Sequence, residues 1–339
     1  DMPTVVNLKN QEVPEGPIQE SPKPVGNTGN KTKKPMVLAA IVLVCIGLSA
    51  FLISRFLGGS TEPEFSAMVQ LNGKTGYIDS EGNSIIEPTY NGGLNFKEGV
   101  APISTVNGWN YIDIDGNITI KGDFDLATPF SDGLALVKNN EGWFFIDKNG
   151  NNAFDQFYQA AKLFGDGLAP IRISEGWGFM GQDGKRAFSG IYDNVHSFSN
   201  GLAGVNKQGK WGFIDLTGEQ VINFNYLGVE NYSEGLMGVL IGEKKWQFID
   251  KFENLAFNDT FEQVGIFSEG MAAVKKGNKW GFVDKKGKLI IDFMYENTGK
   301  FVNGIAPVKL NSKWTYIDKN NKQIIEQNYD RVEDFELVN

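Results

Sequence analysis

Apolar residues follow three regimes along this chain. Up to Pro35 they are sparse and punctuated by Pro3, Pro14, Pro17, Pro22, Pro24 and Pro35. Such a stretch has too little apolar surface to build a core and predicts a disordered tail over 1–35. From Met36 to Ser54, 19 consecutive residues are uncharged and mostly apolar. At 1.5 Å per residue they span roughly 28 Å, the thickness of a bilayer core, and predict a transmembrane helix over 36–57. After a linker over 58–64, apolar residues come in short runs separated by Gly, Asn and Asp. Alternation bounded by turn residues predicts many short strands.

These runs repeat over 65–339. Trp109, Trp143, Trp177, Trp211, Trp246, Trp280 and Trp314 are spaced by 34 residues, once by 35, with Thr75 in the same phase upstream. Two positions on stands an aromatic in all eight copies: Tyr77, Tyr111, Phe145, Phe179, Phe213, Phe248, Phe282 and Tyr316. Residues i and i+2 share one face of a strand. Asp three residues before Gly or Asn, as in Asp79 to Gly82 and Asp318 to Asn321, marks a hairpin turn. Fifteen residues past the Trp position a second aromatic recurs, from Tyr90 to Tyr329.

Each unit opens with Phe or Tyr, one residue, an acid or Asn, then Gly, as in FKEGVAPI, FGDGLAPI and FVNGIAPV. The recurring Gly (Gly99, Gly133, Gly167, Gly201, Gly235, Gly270, Gly304) points to a positive φ or a close contact. The expected architecture is an all-β tandem repeat array of eight units with three short strands each. One unit buries too little to fold alone, so neighbours must stack. Units of 34 residues suit three strands better than four, and the two ends share almost one phase. An open superhelix or solenoid is therefore favoured over a closed, propeller-like toroid.

The phrases KWGFID and FSEGMAAV resemble the WG-repeat family of bacterial surface and envelope proteins, over about 65–335. Asn110, Phe144, Gln247 and Thr315 replace the Gly of the motif in four copies. The resemblance implies a repeat scaffold and brings no catalytic residues with it.

Charge sets the topology. Lys31, Lys33 and Lys34 precede the apolar segment and Glu62 and Glu64 follow it, which predicts a cytoplasmic N-terminus and an extracellular repeat domain at the cell membrane. The six basic and four acidic residues up to Leu57 leave 26 basic and 37 acidic ones beyond it, a net −11. That balance disfavours nucleic acid as a partner. The only cysteine, Cys45, lies in the apolar segment, and the only histidine, His196, occupies a position filled by unrelated residues in other copies. Catalytic, metal and cofactor sites are therefore not expected, and His196 reads as a surface loop residue. The Asp113–Asn117 stretch has its Gly in fourth place, which fits a turn rather than a calcium loop.

Positions invariant among copies are expected to pack, so the seven Trp are assigned to the repeat core. Variable positions are expected to bind: Asn139, Asn140 and Glu141 before Trp143, Glu243 and Lys244 before Trp246, and Asn194 and His196 in a loop. The expected role is a membrane-anchored, non-enzymatic module for protein, peptide or cell-wall glycan. The alternatives are the ectodomain of a sensor whose cytoplasmic part precedes Asp1 and, last, a glycan-processing enzyme.

Overall fold

A computed structural model describes residues 64–338. The expected tail over 1–35, the helix over 36–57 and the linker up to residue 63 lie outside the described residues. Every regular element described is a strand, grouped into eight small antiparallel sheets.

The second unit shows the plan. Strand β4 (Gly92–Gly93) is followed by β5 (Ala101–Ser104), β6 (Trp109–Ile112) and β7 (Ile118–Phe124), in that spatial order. The last three are the expected strands; the short β4 is an addition that three-strand counting overlooks. Trp109 pairs with Ser104 on one side and Phe124 on the other. The aromatic fifteen residues downstream is thus the cross-strand partner of the Trp position, and the same pairing recurs from Thr75–Tyr90 to Trp314–Tyr329. A register shift follows each pairing where the third strand is regular.

The turns follow from residue chemistry. In the opening motif the acid or Asn and the Gly both have positive φ, as at Glu98 (51°) and Gly99 (86°). Two successive left-handed residues match the twist of a tight hairpin, and Asx or Gly is the inexpensive way to supply them. In the second turn Asp113 Oδ1 accepts the N–H groups of Asp115 and Asn117, and Oδ2 accepts the Asn117 side-chain amide. This carboxylate closes its own turn.

The Gly after Trp has a local cause. A Cβ on Gly76, Gly212 or Gly281 would lie 2.5 Å from the carbonyl oxygen of Ile86, Ile222 or Ile291 on the third strand. Those three units keep a regular third strand. With Phe144, Gln247 or Thr315 in that place only isolated bridges remain, and the same holds in the unit of Gly178, whose third segment does not approach the Gly. Asn110 keeps its third strand by accepting the N–H groups of Gly122 and Asp123.

The core lies between units. The aromatic two residues after Trp is buried in every copy, and it meets the opening Phe of the following unit edge-on, as in Tyr77–Phe96 (4.8 Å), Phe145–Phe164 (5.0 Å) and Phe282–Phe301 (4.8 Å). Eight apolar clusters each join two consecutive units. The seven Trp are different: each is half-buried at the margin of one such cluster. The inner ladder is built from the residues two positions further on.

Each sheet keeps open edges and none closes into a barrel. The ends of the array nevertheless meet. Strand β1 (Phe65–Leu71) pairs with Arg331–Val332 and with Glu336–Leu337. The Val69–Val332 and Gln70–Arg331 pairs occupy the places of Ile103–Gly93 and Ser104–Gly92 one unit later. Phe335, 34 residues after Phe301, fills the opening-Phe position of the first unit and packs on Tyr316 at 5.0 Å. The Tyr316 hydroxyl donates to Glu333 O, as Tyr77 does to Leu94 O and Tyr111 to Thr128 O. The eighth joint therefore copies the other seven and links the last unit to the first. This is the arrangement of the closed alternative rather than the open array; the overlap that the near-equal phase of the ends lacks comes from residues 331–338.

Candidate binding rim

Two kinds of end follow from this plan. One carries the opening turns and the Asp turns; the other carries the hairpin tips that lead into each Trp strand.

The first end is structural. The opening-motif acid of one unit accepts the N–H of the Gly in the next, as in Asp132–Gly167 (2.7 Å), Asp166–Gly201 (2.7 Å) and Glu269–Gly304 (2.8 Å). Lys148, Lys285 and Lys319, from the following unit's Asp turn, reach back to Glu98, Glu234 and Glu269. A further contact, Lys97 Nζ to Glu336 at 2.6 Å, crosses the closure. Acids and lysines here hold unit to unit. The pairing left a trace in the sequence: each opening Glu has Lys 50 or 51 residues later, whereas Asp132 and Asp166 have Gln182 and Leu216.

The Trp end is differently made. Lys138, Arg172, Asn206, Leu240, Lys275 and Lys309 stand directly across from Trp143, Trp177, Trp211, Trp246, Trp280 and Trp314. Lys138 Nζ lies 5.9 Å from the Trp143 ring and Lys275 Nζ 5.9 Å from that of Trp280. Trp177 has two cations, Lys162 Nζ at 5.3 Å and the Arg172 guanidinium at 5.9 Å. Lys162 also donates to Val195 O at 2.6 Å, and partial burial lowers its pKa. Among the described residues none of Lys138, Lys162, Arg172, Lys275 and Lys309 forms an ion pair.

The variable residues singled out in the sequence fall at this end or just inside it. Asn140 and Glu141 are exposed at one tip, and Asn139 Oδ1 accepts the N–H groups of Glu141 and Gly142 to shape it. Glu243 and Lys244 are exposed at another tip. Lys244 borders a cleft of about 150 Å³ shared with Glu262, Gln263, Lys275 and Asn278 of the next unit. Asn194 is exposed on the short strand Asn194–Val195.

His196 is not the surface loop residue expected. It follows the short strand, its N–H donates to Gly204 O, and its ring lies 4.8 Å from that of Trp211. Burial first, and then the charge of Lys162, push its pKa down to about 4. It is neutral at pH 7. Glu230 occupies the same place one unit on, and burial raises its carboxyl to about 7. Lys162, His196 and Glu230 thus hold one repeat position in three successive units, so the side chain can change while the backbone does not.

Seven segments, 76–109, 109–143, 177–211, 211–246, 248–280, 280–314 and 314–336, match the family described as WG containing repeat. The chain belongs to the WG-repeat family. The segment 143–177 between the second and third matches keeps Trp143, the buried Phe145 and the opening Phe164, so the WG repeat runs through it with Phe144 in place of Gly. No curated protein matches in sequence. Among solved structures, the dihydro-heme d1 dehydrogenase NirN in complex with DHE is similar at TM-score 0.58 and 11% identity, covering 82% of this chain and 76% of that one. A eukaryotic initiation factor is similar at 0.53 and 9% (81% and 98%), and the computationally designed Ika8 protein at 0.51 and 12% (70% and 85%). At identities this low the likeness shows a shared fold alone.

Proposed function

We propose that the WG-repeat domain is a non-enzymatic binding module, displayed outside the cell by a helix over 36–57, that takes a protein, peptide or cell-wall glycan on the Trp end. One observation carries this reading. Residues common to the copies are engaged in packing, turns and unit-to-unit contacts, while those that differ among copies gather at the hairpin tips and short strands around the half-buried Trp. A scaffold that keeps its joints constant and varies one end suits recognition, because contacts there can change without cost to the fold.

Immobilised full chain is expected to retain a component of a cell-wall or surface-protein extract, and exchanging the tips Asn139–Glu141 and Glu243–Lys244 for that of the Gln208–Gly209 hairpin is expected to abolish retention. Retention unchanged by the exchange would overturn the assignment to this end, and no retention of any component would overturn the binding reading.

A further inference from the structure

We propose that the Trp end binds an acidic polysaccharide, one uronate-type sugar per Trp–cation pair. This rests on the binding reading above and names its ligand class.

The argument starts from how the two ends use their cations. At the end of the opening turns, Lys97, Lys148, Lys285, Lys300 and Lys319 are neutralised by Glu336, Glu98, Glu234 and Glu269. At the Trp end, Lys138, Lys162, Arg172 and Lys275 have no carboxylate partner among the described residues and lie instead against indole rings. Lys313 at the same end is paired with Asp330, but these four cations keep their charge free for an external anion in a domain of net −11. Lysines left beside an aromatic rather than a carboxylate are also the ones able to take an external anion without first breaking an ion pair.

The second element is the aromatic surface. Each Trp is half-buried against its cross-strand aromatic, and three of the seven, Trp143, Trp177 and Trp280, have a cation over the ring. A pyranose presents C–H groups to an indole and, in a uronic acid, one carboxylate at the ring margin. One indole with one cation is matched by one sugar with one carboxylate. The pairs occur in three units, successively at Trp143 and Trp177 and again at Trp280, where the neighbouring cleft of about 150 Å³ is smaller than the ~300–1,000 Å³ of a pocket that encloses a whole small ligand. Small, open subsites repeated around an array fit single residues of a polymer. The hairpin tips add the exposed polar groups Asn140 and Lys244 for sugar hydroxyls.

The test uses the full chain in detergent, with polygalacturonate, its fully methyl-esterified form and single-stranded oligothymidylate as probes. Polygalacturonate is expected to bind at low salt, to weaken as ionic strength rises, and to bind at least about ten-fold tighter than the ester, which keeps the sugar and removes the charge, a difference of about 1.4 kcal/mol. Lys138→Gln with Arg172→Gln is expected to weaken it about ten-fold, while Lys121→Gln with Lys286→Gln, at positions away from the Trp, leaves it unchanged. Trp177→Phe tests stacking separately, and an unchanged Trp emission spectrum for the charge variants confirms that they fold. Equal binding of acid and ester, oligothymidylate bound as tightly as polygalacturonate, or insensitivity to Lys138 and Arg172 overturns the proposal. Each of those outcomes leaves the binding-module reading standing, since that fails only if the extract experiment retains nothing.

Discussion

Phe301 and Phe335 are the same residue at the same repeat position, both fully buried, packed on Phe282 at 4.8 Å and on Tyr316 at 5.0 Å. They differ only in that Phe301 sits at an internal joint and Phe335 at the one between the last unit and the first. Phe→Ala at a buried site costs about 3–5 kcal/mol, from lost transfer energy plus the cavity left behind. If the terminal segment is a joint like the others, Phe335→Ala costs as much as Phe301→Ala, within about 1 kcal/mol. If residues 331–338 were a frayed end, Phe335 would be exposed in the folded state, and its removal would cost no more than about 0.5 kcal/mol, the size of an ordinary surface change. Equilibrium urea unfolding followed by Trp fluorescence decides between them, with the slope against denaturant compared to confirm that both variants unfold the same structure. A cost below about 1 kcal/mol for Phe335→Ala, beside 3 or more for Phe301→Ala, would refute the closure.

Other expectations follow from local geometry. Gly212→Ala places a Cβ 2.5 Å from Ile222 O and is expected to destabilise by about 1–3 kcal/mol, whereas Gly178→Ala, whose nearest atoms lie 3.8 Å away, should fall within about 0.5 kcal/mol in the same assay. Lys285→Met removes a half-exposed pair with Glu234 and should cost only about 0.2–1 kcal/mol, less at high salt, read from the urea midpoint. Burial raises the Asp334 carboxyl from 3.8 to about 6, so between those values the folded chain holds a proton that the unfolded chain has released. The contribution of Asp334 to stability is present below pH 4 and is lost as pH rises through 6. Asp334→Asn is expected to remove that component, with its stability relative to wild type rising between pH 4 and 6; a pH-independent difference in thermal midpoint would refute the assignment.

Much of the fold could be read from periodicity because packing recurs in each copy. The buried aromatic two residues after the Trp position is written eight times, and the Trp and the turn Asp seven times each, and averaging across copies makes them unmistakable. What went unread is too short to carry an alternation or spans copies. The short strand, β4 in the second unit, returns in other units, as at Asn194–Val195 and Gly228–Val229, but two residues are too few to show an apolar alternation of their own. The closing segment resembles the start of a ninth copy, and the phase argument weighed its nearness to the first as lack of overlap, although an unpaired opening Phe at the C-terminus and a first unit without one are complementary. The Trp were assigned to the core because they recur, yet recurrence reports a shared environment, which here is the margin of the core against a cross-strand aromatic. His196 was placed on a surface loop because the residues at its position in other copies differ; it stands beside the Trp211 ring, in a place that takes Lys162 or Glu230 in neighbouring units.

The joint between residues 331–338 and β1 also has a consequence in time. A ribosome delivers the first sheet about 260 residues before its missing strands, so the first unit waits, with one edge of β1 unpaired, until residues 331–338 emerge. A chain cut before residue 331 would leave one edge of β1 without its partners and able to pair with another copy. Segment 331–338 is what turns a string of stacked sheets into an array whose first and last described units meet.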